Sequence, residues 1–286
     1  MKKVIFPLLF ILFAVQTQAQ FEDRINELSE DLQKGYSTPL ATWTGTYLNS
    51  GGYFSASVSK TFGFKLSLIG MMIMIPEDQR TFKLEDGTET ATFFGEKGAA
   101  VPESEGYLVY PPGVNQTSVP AAIPQIAFSA LGTEVMLRFV PETEVEDVKI
   151  DLLGGALKHS ISQYIPLCPV DIAVQAMYNK LSIASTDLDI STTNLAFNAH
   201  VSKSFGIAIL YGGLQYEKTT MDIEYTFTGE DLEGVFEDDK LKVNLEGENN
   251  IRLTLGAALK LAIFVINADA NIGSQTAFVA GLNFVF

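Results

Sequence analysis

The sequence predicts an all-β fold: an antiparallel transmembrane β-barrel of ten to twelve strands, with a short helical plug or cap at its N-terminus. Three observations carry that expectation. The chain ends on a strand with two unlike faces. Hydrophobic residues make up 47% of it, yet beyond the first twenty positions they are scattered in alternation rather than gathered into long runs. Short turns of similar composition alternate with longer, acidic connections. A helix needs roughly 20 consecutive apolar residues to cross a bilayer, so helical spans are excluded. A strand points successive side chains to opposite faces, and a period of two marks a strand between two unlike media.

On the terminal strand, Phe278, Ala280, Leu282, Phe284 and Phe286 share one face, while Ala277, Val279, Gly281, Asn283 and Val285 share the other. In a membrane barrel the first set faces lipid and the second the lumen. The same phasing recurs upstream. Phe264, Ile266, Ala268 and Ala270 oppose Asn267, Asp269 and Asn271; Ile251, Leu253 and Leu255 oppose Arg252 and Thr254. Leu195, Phe197 and Val201 oppose Asn198, His200 and Ser202, and Val170, Ile172 and Val174 oppose Asp171 and Gln175. Val148, Ile150 and Leu152 oppose Lys149 and Asp151, and Phe62, Phe64 and Leu66 oppose Lys65 and Ser67.

Ser59-Lys60-Thr61-Phe62-Gly63 and Ser202-Lys203-Ser204-Phe205-Gly206 are near copies and read as short hairpins. Leu259 to Ala262, Gln163 to Pro169 and Leu131 to Thr133 read as three more. Pro76 to Pro120, Pro141 to Asp147 and Gly229 to Lys240 are the longer connections. Short turns at one end and long loops at the other are the barrel pattern. About eleven strands can be counted, with Thr42 to Leu48 as a further candidate. Single-chain bacterial barrels use even numbers, which favours ten or twelve.

Met1-Lys2-Lys3, the apolar stretch Val4 to Val15 and the small residues before Gln20 form a secretory signal peptide. Phe21, Ile25, Leu28 and Leu32 then recur at helical spacing among acidic residues, up to Gly35 and Pro39. The expected organisation is residues 1–20 as signal peptide, 21–42 as helical plug or cap, and 43–286 as barrel. A plug would enter from the side of the short turns; a cap would only cover the mouth.

The formal net charge is −15; the 19 basic residues less Lys2 and Lys3 leave 17 against 34 acidic ones. Phosphate binding needs the opposite sign, so nucleic acid is excluded as a partner. Cys168 is the single cysteine and forms no internal disulfide.

A chain that closes on Phe286 resembles Gram-negative outer-membrane barrels, whose assembly machinery reads such a terminal aromatic. Signal peptide, helical segment and strand-rich remainder, with the hairpin from Arg252 to Asn271, are similar to the long-chain fatty-acid transporter type of barrel. Gly154-Gly155-Ala156-Leu157-Lys158-His159-Ser160-Ile161, followed by Ile165-Pro166 and Pro169-Val170-Asp171-Ile172, resembles an uncharacterised family of Gram-negative outer-membrane proteins. That likeness extends over nearly the whole mature chain. The resemblances imply Sec-type export, the outer membrane with its lipid, and the barrel-assembly machinery as a partner. The chain carries Asn49-Ser50-Gly51 where the transporter family has Asn-Pro-Ala, and it is short for that family's fourteen strands.

Catalytic residues are not expected. His159 and His200 are the only histidines, each read as lumen-facing, and adjacent Ser160 points away from His159. Without ligand-spaced companions they make no metal site, and no cofactor motif is present. The acidic segment Gly229 to Lys240 matches no calcium-loop spacing and reads as a solvated surface. The candidate lumen-lining or ligand-binding set is Lys65, Lys149, Asp151, His159, Asp171, His200, Arg252 and Asp269. Charges buried without partners are costly, so these must pair, meet water or contact the plug. Arg252 and Asp269 are the candidates for holding it. The expected function is non-enzymatic: a plugged channel for small hydrophobic or amphipathic molecules. The alternatives are a structural barrel displaying acidic loops, or a soluble secreted sandwich or ligand-binding protein.

Overall fold

The computed structural model describes residues 30–103, 106–145, 147–226 and 240–286. The expected signal peptide, the first part of the expected helix and most of the acidic segment Gly229 to Lys240 lie outside them.

One helix, α1 (Glu30–Asn49), precedes β1 (Phe62–Met74). The long connection that follows carries β2 (Thr81–Lys83), β3 (Glu89–Ala91), β4 (Ala100–Glu103) and β5 (Gly106–Val109). Next come β6 (Ser118–Ala130), β7 (Thr133–Val145), β8 (Val148–Ser160), β9 (Asp171–Ala184), β10 (Leu188–Phe205) and β11 (Ala208–Thr226). The chain ends with β12 (Lys240–Glu246), β13 (Ile251–Leu261), β14 (Phe264–Ile272) and β15 (Thr276–Val285).

Ten strands close into an antiparallel barrel in the order β1-β6-β7-β8-β9-β10-β11-β13-β14-β15, with β15 returning to β1. Closure removes both sheet edges, and the two-sheet sandwich does not hold. β12 is an eleventh strand that continues the line of β13. Ala208 to Tyr216 of β11 pair with β13, and Thr220 to Thr226 pair with β12 along the same edge.

At one end stand the short turns at Leu131–Gly132, 161–170, Gly206–Ile207 and Ala262–Ile263, with Phe286 beside Phe64. The long connection lies at the opposite end. Two expected turns differ. Ser59 to Gly63 is no hairpin but the way from the lumen into β1, and Pro141 to Asp147 is no long loop, because β7 runs on to Val145.

α1 lies inside the barrel, in the half nearest the long connection, and residues 50–61 thread the lower lumen to the start of β1. Trp43, Tyr47 and Leu48 pack against the inner residues Ile73, Val119 and Ile150. Over the top, the Phe93 amide donates to the Tyr36 carbonyl at 2.9 Å, and Gln275 Nε2 donates to the Pro39 carbonyl at 3.0 Å. The helical element therefore fills the mouth opposite the short turns.

The helix also runs through both expected stops. Gly35 lets the Phe82 ring approach, since a Cβ there would lie 2.4 Å from it. Pro39 removes one helical amide, and its carbonyl is held by Gln275 of the wall. Thr42 to Leu48, a candidate strand by its β-branched residues, is helical. Thr38, Thr42, Thr44, Thr46 and Ser50 each donate their hydroxyl to the carbonyl four residues back, at 2.6–3.0 Å, so the hydroxyls are satisfied within the helix.

The lumen has two parts. Around α1 it is largely apolar; below, it is lined by charged and amide side chains. This division inverts part of the expected register on β8. Val148, Ile150 and Leu152 point inward onto the apolar core, while Lys149 and Asp151 point outward. Farther down the same outward face come Leu153 and Leu157, 58% and 54% exposed, then His159. The strand keeps one phase while its surroundings change: the outside passes from water to an apolar belt, and the inside from dry core to polar layer.

Gly45 seats the helix against β11, where an added Cβ would lie 2.1 Å from Thr219 Oγ1 and 3.0 Å from its Cβ. Alanine favours an isolated helix over glycine by about 1 kcal/mol, but overpacking a filled site costs about 1–3 kcal/mol. Gly45→Ala is therefore expected to lower the urea midpoint of the folded barrel, and Thr219→Ala to restore part of it.

Candidate functional site

α1 ends in the middle of the lumen, where its last carbonyls have no helical partner. The wall supplies the donors. Arg138 of β7 donates from Nη1 to the Leu48 carbonyl at 2.6 Å and from Nη2 to the Ser50 carbonyl at 2.8 Å. Its Nε reaches Gln125 Oε1 at 3.0 Å. Arg252 of β13 donates from Nη1 to the Thr46 carbonyl at 3.3 Å and also to Ser50 Oγ. Gln215, Gln125 and Gln175 donate to the carbonyls of Asn49, Gly51 and Gly52 in turn, at 3.5, 3.2 and 3.2 Å. Two cations at the negative end of the helix dipole add a favourable electrostatic term. The helix has no basic residue of its own in its last turn, so the charge comes from the wall.

Glu217 of β11 completes this layer. Its Oε1 accepts from Arg252 Nη2 at 2.7 Å and from Asn249 Nδ2 at 2.7 Å. Both ionic side chains are 1% exposed or less. Asn249 sits where the chain bulges between β12 and β13, and its Oδ1 accepts from the Ser274 amide at 2.8 Å.

Two further clusters line the short-turn half. Glu134 bonds Lys65, and Lys158 Nζ lies 3.0 Å from its other oxygen. Lys158 also reaches the Ser55 carbonyl at 3.3 Å, and Lys65 lies 5.2 Å from the centre of the Phe54 ring, so both lysines touch the threaded segment. Asp269 is held by neutral donors: Tyr211 Oη at 2.6 Å, Asn271 Nδ2 at 2.6 Å and Asn267 Nδ2 at 3.2 Å. Tyr53 of the threaded segment stacks on His200 at 3.9 Å between ring centres.

Of the eight candidates from sequence, five point inward: Lys65, Asp171, His200, Arg252 and Asp269. Arg252 holds the helix, Lys65 and His200 meet the threaded segment, and Asp269 is bonded to Tyr211, whose ring lies edge-on to Tyr53 of that segment. Asp171 sits half-buried at the short-turn rim. Lys149, Asp151 and His159 point outward, against expectation. His159 lies on the outer rim, bonded to Thr133 at 2.8 Å and Tyr164 at 3.0 Å. Sequence reading missed Glu134, Arg138, Lys158 and Glu217. The signal was present: Glu134, Met136 and Arg138 alternate with Val135, Leu137 and Phe139 in the same period of two. Among the described residues no group of three or more His, Cys, Asp or Glu could hold a metal ion.

Fold and interior define the class, an antiparallel β-barrel of transmembrane type closed by its own N-terminal segment. Over residues 1–286 the chain matches a family of unknown function, DUF6588, and it belongs to that family. No curated protein matches it. Among solved structures it is similar to a FadL homologue of Pseudomonas aeruginosa, at 8% identity, 88% of this chain, 97% of that one and a TM-score of 0.28. It is also similar to a mutant porin of Rh. blastica, at 7% identity, 79% of this chain, 100% of that one and a TM-score of 0.20. A third is the CymD monoaromatic hydrocarbon channel, at 8% identity, 79% of this chain, 88% of that one and a TM-score of 0.18. Likenesses this distant carry no argument about function.

Removing Glu217 strands a buried guanidinium, which typically costs about 3–5 kcal/mol. Glu217→Ala is expected to lower stability by that order in urea titrations. Glu217→Leu combined with Arg252→Met should recover much of the loss, because an apolar replacement of a whole buried pair is often neutral.

Proposed function

We propose that the protein is an outer-membrane barrel that passes small hydrophobic or amphipathic molecules when its N-terminal plug shifts. The observation that carries this is the seat of the plug: α1 ends on two buried arginines and three glutamines rather than on apolar side chains. Such a seat has an accessible alternative, because both the arginines and the carbonyls they hold can be rehydrated if the helix moves. An apolar seat would have none.

The outer-membrane assignment is supported by the outward belt, where Leu214, Ile251, Phe278 and Leu282 are 54–70% exposed. Exposed apolar surface on that scale marks a membrane or partner interface. The terminal Phe286, 61% exposed and bonded through its backbone to Phe64, is the feature we assign to the assembly machinery.

The dry core around α1 favours a second reading, a permanently closed barrel that displays acidic loops. Planar-bilayer recordings separate the two. A gated passage predicts low conductance for the native protein and clearly raised conductance for Arg138→Ala/Arg252→Ala. Silence from both, with the variant folded by its heat-shifted gel mobility, would favour the structural barrel.

A further inference from the structure

The turns at the Phe286 end are apolar where water-facing turns are ordinarily polar. Leu131 is 81% exposed, Leu167 100% and Ile207 60%, one on each of three successive hairpins, with Ile263 at 39% on the fourth. Backbone conformation sharpens the anomaly. Leu131, Leu167 and Ala262 hold φ of 52°, 57° and 57°. Glycine and asparagine adopt that left-handed region readily, and other residues at a cost. An exposed turn surrounded by water would favour Asn at these positions; an apolar side chain there indicates an apolar neighbour.

The course of the outward belt says what that neighbour is. On β13 the outward register is apolar from Ile251 to Leu261, and on β1 from Phe62 to Met74. These stretches are ten and twelve residue steps, about 33 and 40 Å of strand at about 3.3 Å per residue. At a tilt of roughly 40° that is about 25–30 Å of height, enough for the band of about 25 Å that barrels of this type present to lipid. Phe62 and Leu261 stand beside the short turns, so on these strands the apolar band runs up to the turns without a polar break. Among the described residues, the exposed charged side chains at this rim are cationic, Lys60, Lys203 and Lys260, with Asp171 half-buried. The Lys203 ammonium lies 5.6 Å from the Phe205 ring centre, the placement of a chain that reaches from an apolar edge toward anionic headgroups.

We propose that the four short hairpins are immersed in the phospholipid leaflet they face, with Leu131, Leu167, Ile207 and Ile263 in its interfacial layer and Lys203 at the phosphates. This rests on the membrane reading above. The native Cys168 adjoins Leu167 and serves as the probe. The protein, nitroxide-labelled there, is placed in phosphatidylethanolamine–phosphatidylglycerol vesicles, and collisions with oxygen and with a water-soluble nickel complex are compared. The expected result is an oxygen-weighted ratio, and a lowered urea midpoint for Leu131→Asn and Leu167→Asn in the same vesicles. A nickel-weighted ratio at Cys168, or unchanged or raised midpoints for the asparagine variants, overturns the proposal and leaves a soluble partner to cover the rim. A label at Leu157→Cys in a Cys168→Ser background separates the two failures. If that mid-belt label is also nickel-weighted, the membrane reading itself fails.

Discussion

A helix that ends inside a barrel sets a demand the barrel must meet. Its last carbonyls point into a space where water is scarce, and each left without a donor costs the free energy of a lost hydrogen bond. Here the wall answers the carbonyls of Thr46 and of Leu48 to Gly52, through Arg138, Arg252 and three glutamines on five different strands, while the Tyr47 carbonyl accepts from the Ser50 amide. Those arginines in turn need partners in a buried layer. Glu217 neutralises Arg252, whereas Arg138 is balanced by the helix end and Gln125. The position of the plug, the charge of the polar layer and the bulge at Asn249 thus form one constraint.

The same constraint explains why the lumen changes character along its length. Above the polar layer the helix presents Trp43, Tyr47 and Leu48, and the wall meets them with aliphatic side chains, so no channel of water is needed. Below it the chain is extended, and its polar backbone atoms meet Lys158, Ser202 and the glutamines. A barrel of ten strands is wide enough to hold a helix but leaves little space beside it. Among the described residues, the helix and the side chains packed around it fill this half of the lumen.

Period-two alternation predicted the barrel and most of the strand phasing, helical spacing predicted a plug or cap, and the alternation placed Arg252, His200 and Asp269 inside. It failed on β8 because alternation records that two faces differ, not which medium each meets. Lys149 and Asp151 face water outside, and Val148 and Ile150 face protein inside, so the polar face there is the outer one. The plug's limits were illegible for a related reason. Gly35, Pro39 and the threonines argue locally against a helix, and only the enclosing wall reverses that preference. The alternation on β7 marks Arg138 as inward, but the role of Arg138 and Glu217 depends on a helix end that local sequence does not announce.

The central claim is that the N-terminal segment occupies the lumen of the membrane-inserted protein. Ser55 Oγ of the threaded segment lies 3.2 Å from Ser202 Oγ on β10, so cysteines at both positions fall within reach of a disulfide. In a Cys168→Ser background, Ser55→Cys/Ser202→Cys is the direct test. The account predicts near-complete cross-linking on mild oxidation of the membrane-inserted barrel. Two free thiols after oxidation, both open to a membrane-impermeant maleimide, would contradict it.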